Sequence, residues 1–105
     1  MSSNTAKALW HDKFVAERVT AEFNFTRGLA YGDTIATVQM GVTLLRGTDP
    51  LPGAILYGAA IVKGGRVFHR LHSGVAECTY LVECRVTTAN SDILILAGVL
   101  PVKAL

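Results

Sequence analysis

Charged residues are scarce in this chain of 105 residues. They make up 17% of it, against about 25% in ordinary soluble domains. The ten basic and eight acidic residues leave a net charge of +2 and form no Lys/Arg cluster. Nucleic acid and anionic lipid are recognised through basic patches, so we expect neither as a partner. A surface with so little charge is either polar and neutral or partly covered by another subunit.

Long apolar runs are missing as well. The longest, Ile93–Val102, is interrupted by Gly98 and Pro101 and is about half of the ~20 residues that a membrane helix needs. The N-terminus lacks the basic region followed by an apolar stretch that marks a secretory signal. We therefore expect no membrane partner. We expect the protein to work in a cytosol or in an assembly that forms in a cytosol.

Cysteine occurs twice, as Cys78 and Cys84. Both fall in one predicted strand and on the same side of it, about 20 Å apart at ~3.3 Å per residue. A disulfide needs Cα atoms closer than about 7 Å. We expect two free thiols, with Cys84 acting as a small core hydrophobe.

Residues suited to metal binding or catalysis are present but poorly placed. His69 and His72 would lie on opposite faces of a strand, so a joint metal site with Cys78 is not expected. His72 is the only histidine near Cys78 in sequence that could activate it as a nucleophile. We predict no catalytic, cofactor-binding or metal site and no small-molecule substrate, which makes an enzyme the least favoured function.

Two further patterns have simple explanations. The segment Lys63-Gly-Gly-Arg66 has the glycines of a phosphate-binding loop, but it lacks the spacing and the following helix, so a hairpin turn fits it better. Acidic residues are scattered over predicted polar faces and turns without forming a catalytic pair. They include Glu17, Glu22, Asp33, Glu77, Glu83 and Asp92.

Alternation of apolar and polar residues with a period of two is what this sequence has in abundance, and it is typical of strands. The predicted strands are Val19–Thr26, Thr34–Leu45, Ala54–Lys63, Arg66–Leu71, Thr79–Thr87 and Ile93–Val99. These strands are separated by one loop and three turns. The loop is Gly47–Gly53, where prolines and glycines disfavour both a helix and a β-ladder. The turns are Arg27–Asp33, Gly64–Gly65 and Ala89–Asp92. The last strand is nearly all apolar, which indicates burial on both faces.

Six or seven short strands separated by turn signals every eight to twelve residues are typical of two packed antiparallel sheets. We predict an all-β fold, an immunoglobulin-like sandwich of about seven strands, with an oligomer-forming barrel as the alternative. Tyr80 would then correspond to the tyrosine near the start of strand F in such domains.

Residues Met1–Lys13 show no alternation. A short helical turn is one option, and a mobile or partner-ordered arm is the favoured one. We therefore divide the chain into an N-terminal arm, residues 1–13, and a sandwich domain, residues 14–105. Trp10 lies in this arm, where it could serve the protein's own core or a partner's pocket.

Part of the sequence resembles a known family. The segment Tyr80-Leu-Val-Glu-Cys-Arg-Val-Thr-Thr-Ala-Asn-Ser-Asp92, followed by the apolar strand Ile93–Val102, resembles the C-terminal half of tailed-bacteriophage fibre–tail adaptors. Those proteins share a Tyr-x-Leu/Val-x-x-Arg-Val/Ile-Thr-Thr strand, a short turn and a last strand. Gly32-Asp-Thr-Ile35 is similar to the motif that opens their second strand.

The resemblance implies a structural virion domain that is present in several copies in a ring at the head–tail junction or tail. It would bridge the tail machine to fibres or collar proteins and be assembled in the host cytoplasm. Its partners would be other virion proteins: portal, tail adaptor or nozzle, and fibres. The family has no catalytic motif, so no site residues are carried over.

Two other binding functions remain as alternatives to the adaptor role. One is a capsid decoration domain. The other is a carbohydrate-binding sandwich, for which Trp10, Tyr31 and Tyr57 are the plausible aromatic contacts.

Overall fold

The computed structural model describes residues 6–104. Its strands, in chain order, are β1 (Ala6–Leu9), β2 (Lys13–Phe14), β3 (Val19–Asn24), β4 (Ile35–Arg46), β5 (Leu56–Lys63), β6 (Arg66–Leu71), β7 (Thr79–Thr88) and β8 (Ile93–Lys103). A 3₁₀ helix at Pro52–Ile55 precedes β5.

The strands form two sheets. The larger has the order β4-β7-β8-β1, with β2 on the same edge of β8 as β1, and the smaller has the order β3-β6-β5. Neighbours are antiparallel, except that β1 and β2 run parallel to β8. In immunoglobulin terms, β3, β6 and β5 occupy the places of strands B, E and D, and β4, β7 and β8 those of C, F and G. The predicted sandwich is confirmed.

The core lies between the sheets, and alternation selects the residues that fill it. On β7, Tyr80, Val82, Cys84 and Val86 are all fully buried. The smaller sheet contributes the buried Ala21, Phe23, Val67 and Leu71. Burying one side chain of the size of valine, leucine or phenylalanine stabilises a fold by about 1.5–3 kcal/mol, so this interior is the main source of stability.

Several predicted boundaries shift in the structure. The predicted first strand ends at Asn24 instead of Thr26, although Phe25 stays buried and donates its N–H to the Gly65 carbonyl at 2.8 Å. The last strand runs on to Lys103, beyond the predicted end at Val99. Side-chain alternation does not mark where main-chain pairing stops, so one strand ends before its predicted boundary and the other ends after it.

The segment predicted as one strand from Ala54 to Lys63 is wrong in its first two residues. Pro52 opens a 3₁₀ helix, in which a proline is tolerated because its missing N–H would have no partner at a first position. The strand then begins at Leu56 and carries a bulge next to Gly58, which has a φ of +75°. The bulge explains why alternation is weak here.

Both cysteines are buried and free, as predicted. Cys84 lies within β7, and burial raises the pKa of its thiol to about 12, which makes it unreactive at neutral pH. Cys78 precedes β7 and packs against Gly47, where a Cβ would lie 2.5 Å from its Sγ atom.

The N-terminal segment contains a strand that the sequence did not predict. Residues Ala6–Leu9 are extended along β8, so the helical turn that the sequence left open is not formed there, and residues 1–5 lie outside the described part. The main-chain N–H of Trp10 donates to the Val99 carbonyl at 2.9 Å. The indole ring of Trp10 meets the Phe23 ring edge-on, with the ring centroids 5.6 Å apart. Trp10 therefore packs on the protein's own core.

Gly98 makes the position of Trp10 possible. A Cβ added at Gly98 would lie 2.0 Å from the indole ring, so only a glycine lets the ring lie on β8.

Lys13 also holds the N-terminal segment to the sandwich. Its side chain is 1% exposed and donates from Nζ to the Ser73 and Phe14 carbonyls at 2.6 and 2.9 Å. Burial lowers the pKa of this amine, opposed by nearby Glu17. The division at residue 13 remains a prediction.

Tyr80 holds the start of β7 to two loops. Its hydroxyl accepts a hydrogen bond from the Val75 N–H at 2.9 Å and donates one to Asp49 Oδ2 at 2.6 Å. Burial and the Asp49 carboxylate raise the pKa of the hydroxyl above its ordinary value, so it stays a neutral donor. The hydrogen bond between the Tyr80 hydroxyl and the main-chain N–H of Val75, five residues upstream, corresponds to the tyrosine corner of immunoglobulin-like domains. This agrees with the prediction for Tyr80.

Replacing Gly98 should separate the arm from the core. We expect Gly98→Ala to destabilise the fold by about 1–3 kcal/mol, because the added methyl group overlaps the indole ring. Emission from Trp10, the only tryptophan, should shift to the red as the ring becomes solvated. Gly41→Ala is the matched control, because a Cβ at Gly41 meets no atom within 4 Å. Equal stability and unshifted emission in both variants would contradict this packing.

Removing the Tyr80 hydroxyl should weaken the fold without changing its shape. Tyr80→Phe leaves the Val75 N–H and the Asp49 carboxylate without this partner, which we expect to cost about 1.5–3 kcal/mol. Denaturant unfolding measures the difference. Tyr31→Phe, at a fully exposed side chain, should show no change. An unfolding midpoint of Tyr80→Phe equal to the wild-type value would refute this role.

Candidate docking surfaces

The residues considered for metal binding or catalysis are not brought together. His69 is buried under the smaller sheet with Nδ1 2.8 Å from the Arg70 carbonyl, whereas the His72 ring stacks on Tyr57. The Cys78 thiol points to the Thr48 carbonyl at 3.6 Å. In residues 6–104, no group of three or more His, Cys, Asp or Glu side chains converges as a metal site would require.

The three aromatic residues considered for glycan binding also lie apart. Trp10 packs on the core, Tyr31 is fully exposed in the loop between β3 and β4, and Tyr57 lies on the outer face of the smaller sheet. These three rings therefore do not form one shared platform for a sugar.

The two short motifs that resemble the adaptor family meet at one end of the sandwich. Asp33, from Gly32-Asp-Thr-Ile35, accepts at Oδ1 from the Thr34 N–H at 2.9 Å and from the Asn90 N–H at 3.1 Å. The Ala89 N–H donates to the Thr34 carbonyl at 2.9 Å. The motifs therefore fix the loop between β3 and β4 to the turn between β7 and β8.

The outer face of the larger sheet carries an apolar strip along β8. The inner side of β8 packs on the core, while Ile93, Ile95 and Val99 point outward. Leu81 of β7 pairs with Val99 across the ladder. Ile93 is 52% exposed, and the other three are half-buried. We call these four residues the outer strip. The sequence predicts burial on both faces of this strand, and within residues 6–104 the outer face is only partly buried.

A shallow depression of about 240 Å³ lies beside the outer strip, over the middle of β4. Its floor is Gly41, and its walls include Glu83, Arg85 and Ile95. A Cβ on Gly41 would touch no atom within 4 Å, and its φ is not positive, so neither packing nor backbone geometry within the described chain requires a glycine. Glycine inside a strand costs about 0.5–1 kcal/mol relative to alanine.

The outer face of the smaller sheet has a different chemistry. The ring of Tyr57 is flanked by the guanidinium carbons of Arg18 and Arg70, 5.6 and 5.5 Å from its centroid, and by the His72 ring at 4.7 Å. Each cation–π contact at such an exposed site is worth about 0.5–1 kcal/mol. This cluster brings together residues from β5, from β6 and from the segments beside β3 and β6.

Sequence reasoning did not find this cluster. Its members come from three separate stretches of the chain, and these stretches meet because β3 and β5 both pair with β6. Arg70 lies opposite both Thr20 and Tyr57 in the ladder, which a reader of the sequence could derive only after knowing the order of the strands.

Comparison with known proteins agrees with the resemblance that the two short motifs carry. No helix within residues 6–104 has the length and apolar character needed to cross a membrane. No curated protein matches the chain. A family model described as podophage GP4 fiber-tail adaptor protein gp77 matches residues 13–97, which is most of the sequence. The chain therefore belongs to this family of podophage fiber-tail adaptor proteins.

Proposed function

We propose that this chain is a structural, non-enzymatic virion protein that joins the tail, portal or collar of a podophage to its fibres. It packs against other virion proteins in several copies arranged as a ring at the head–tail junction or tail. Assembly takes place in the host cytoplasm. Family membership supports a virion component of the adaptor type, and the surface of the protein supports the docking mode.

The observation that carries the proposal is the outer strip on β8. A strand at the surface of a sandwich ordinarily alternates apolar and polar residues, with the polar ones in water. Here Ile93, Ile95 and Val99 occupy the positions that water would contact. Covering these side chains in a complex gains the free energy of apolar burial that folding alone leaves unused.

Gly41 adds a reason for docking at this face. A glycine inside a strand often marks a place where another backbone approaches closely. Because nothing in the described chain fills the space above Gly41, we propose that main chain of a virion partner lies there, next to the outer strip.

Heterologous contacts between neighbouring copies close into a ring when the rotation between subunits is right, so a ring does not require the two outer faces to meet each other. We also propose a division into an arm of residues 1–13 and a sandwich domain of residues 14–105, since the family match leaves residues 1–12 outside it.

Filling the depression tests docking separately from folding. We expect Gly41→Val to leave the fold as stable as the wild type or up to ~1 kcal/mol more stable, because valine suits a strand better than glycine. The same variant should fail to enter particles when it is supplied to a phage that lacks the wild-type gene. Thermal unfolding and the protein content of purified particles are the two measurements.

Ala36→Val is the matched control, since Ala36 is exposed on the same strand but lies outside the depression. It should enter particles normally. Normal incorporation of Gly41→Val would contradict docking at this face. Loss of stability in Gly41→Val would show that the space above Gly41 is not open.

A further inference from the structure

The cluster around Tyr57 has a positive charge that no carboxylate within residues 6–104 balances by an ion pair. Within residues 6–104 the salt bridges are Arg66–Glu22, at 3.3 Å, and Lys103–Glu77, at 3.6 Å. Arg18 and Arg70 therefore have no carboxylate at ion-pair distance in the described part of the chain. Both guanidinium groups lie near one tyrosine ring instead.

Apolar residues adjoin the two arginines. Ile61, which is 54% exposed, pairs with the half-buried Phe68 across the ladder between β5 and β6. A depression of about 440 Å³ lies between Tyr57, Ile61, Phe68 and Arg70. It is open because Gly58, at the bulge of β5, contributes no side chain to its wall.

Arginine and tyrosine side chains beside an apolar depression are typical of the centre of a protein–protein interface. Tyrosine and arginine are enriched among the residues that dominate binding energy, and an apolar pocket surrounded by polar groups is the common arrangement. Guanidinium groups pair with carboxylates in a bidentate geometry, and an unpaired guanidinium is complementary to an acidic surface. The apolar pocket favours a protein side chain over a phosphate backbone, which would contribute nothing to fill it.

We propose that the outer face of the smaller sheet docks an acidic segment of the fibre or tail protein. Carboxylates of that segment pair with Arg18 and Arg70, and one of its apolar side chains enters the depression between Ile61 and Phe68. This inference rests on the proposed adaptor function and assigns it a second docking face, with an electrostatic component that the outer strip lacks.

The test uses the purified fibre protein and the purified tail protein of the same phage, each titrated against the full-length chain. The double variant Arg18→Glu/Arg70→Glu should bind one of the two partners at least about tenfold more weakly at low salt and the other unchanged, because reversed charges repel an acidic surface. Raising the salt from about 0.05 to about 0.5 M should weaken wild-type binding to that partner and change the variant much less.

Arg27→Glu/Arg46→Glu is the control with the same change in net charge, at two exposed arginines outside the cluster. It should bind both partners like the wild type. Ile61→Ser tests the apolar half of the site and should weaken the same partner several-fold. Circular dichroism should match the wild type in every variant. The melting temperature should fall only slightly in Arg18→Glu/Arg70→Glu, which loses two cation–π contacts, and in Ile61→Ser, which loses its contact with Phe68, since these side chains are at the surface.

The possible failures are distinguishable. If wild type binds neither protein, the adaptor function itself is wrong. If wild type binds and Arg18→Glu/Arg70→Glu binds equally well, only this second face is wrong. A DNA duplex that binds wild type and is lost in the double variant, while both protein partners keep their affinity, would overturn the inference in favour of a phosphate site.

Discussion

The structure depends on one constraint: β8 is apolar on both of its faces, and the described residues leave part of the outer face exposed. The inner face, with Leu100 and Val102, closes the core against the smaller sheet. The outer face carries Ile93, Ile95 and Val99. Folding therefore completes the sandwich and leaves a surface whose burial requires another molecule, which is what a protein that joins virion parts needs.

The arm follows from the same strand. Because β1 and β2 pair with β8 through main-chain hydrogen bonds, they close its free edge, and Gly98 lets Trp10 lie across its inner side. The family match ends at residue 97 and begins at residue 13, so Trp10 and Gly98 both lie just outside it. Trp10 and Gly98 thus pack on one another beyond the matched residues, and the edge of β8 that β1 and β2 close is protected from non-specific pairing.

Side-chain alternation predicted the sandwich because it records which face of a strand is buried, and in β3, β4, β6 and β7 that record is clear. It could not predict β1, which pairs through its backbone without a patterned face, nor the burial of Lys13, which depends on a carbonyl 60 residues away at Ser73. Three of the four outer-strip residues were visible in the apolar run Ile93–Val102, whereas Leu81 joins them through the pairing of β7 with β8. The Tyr57 cluster was not, because its members come together only through strand order.

The central claim is that the outer strip is open in the free protein and covered in the virion. Hydroxyl-radical footprinting of side chains, read by mass spectrometry, compares the two states directly. The account predicts that Ile93, Ile95 and Val99 react in the isolated protein and are protected in intact particles. Equal reactivity of these three residues in both states would contradict it.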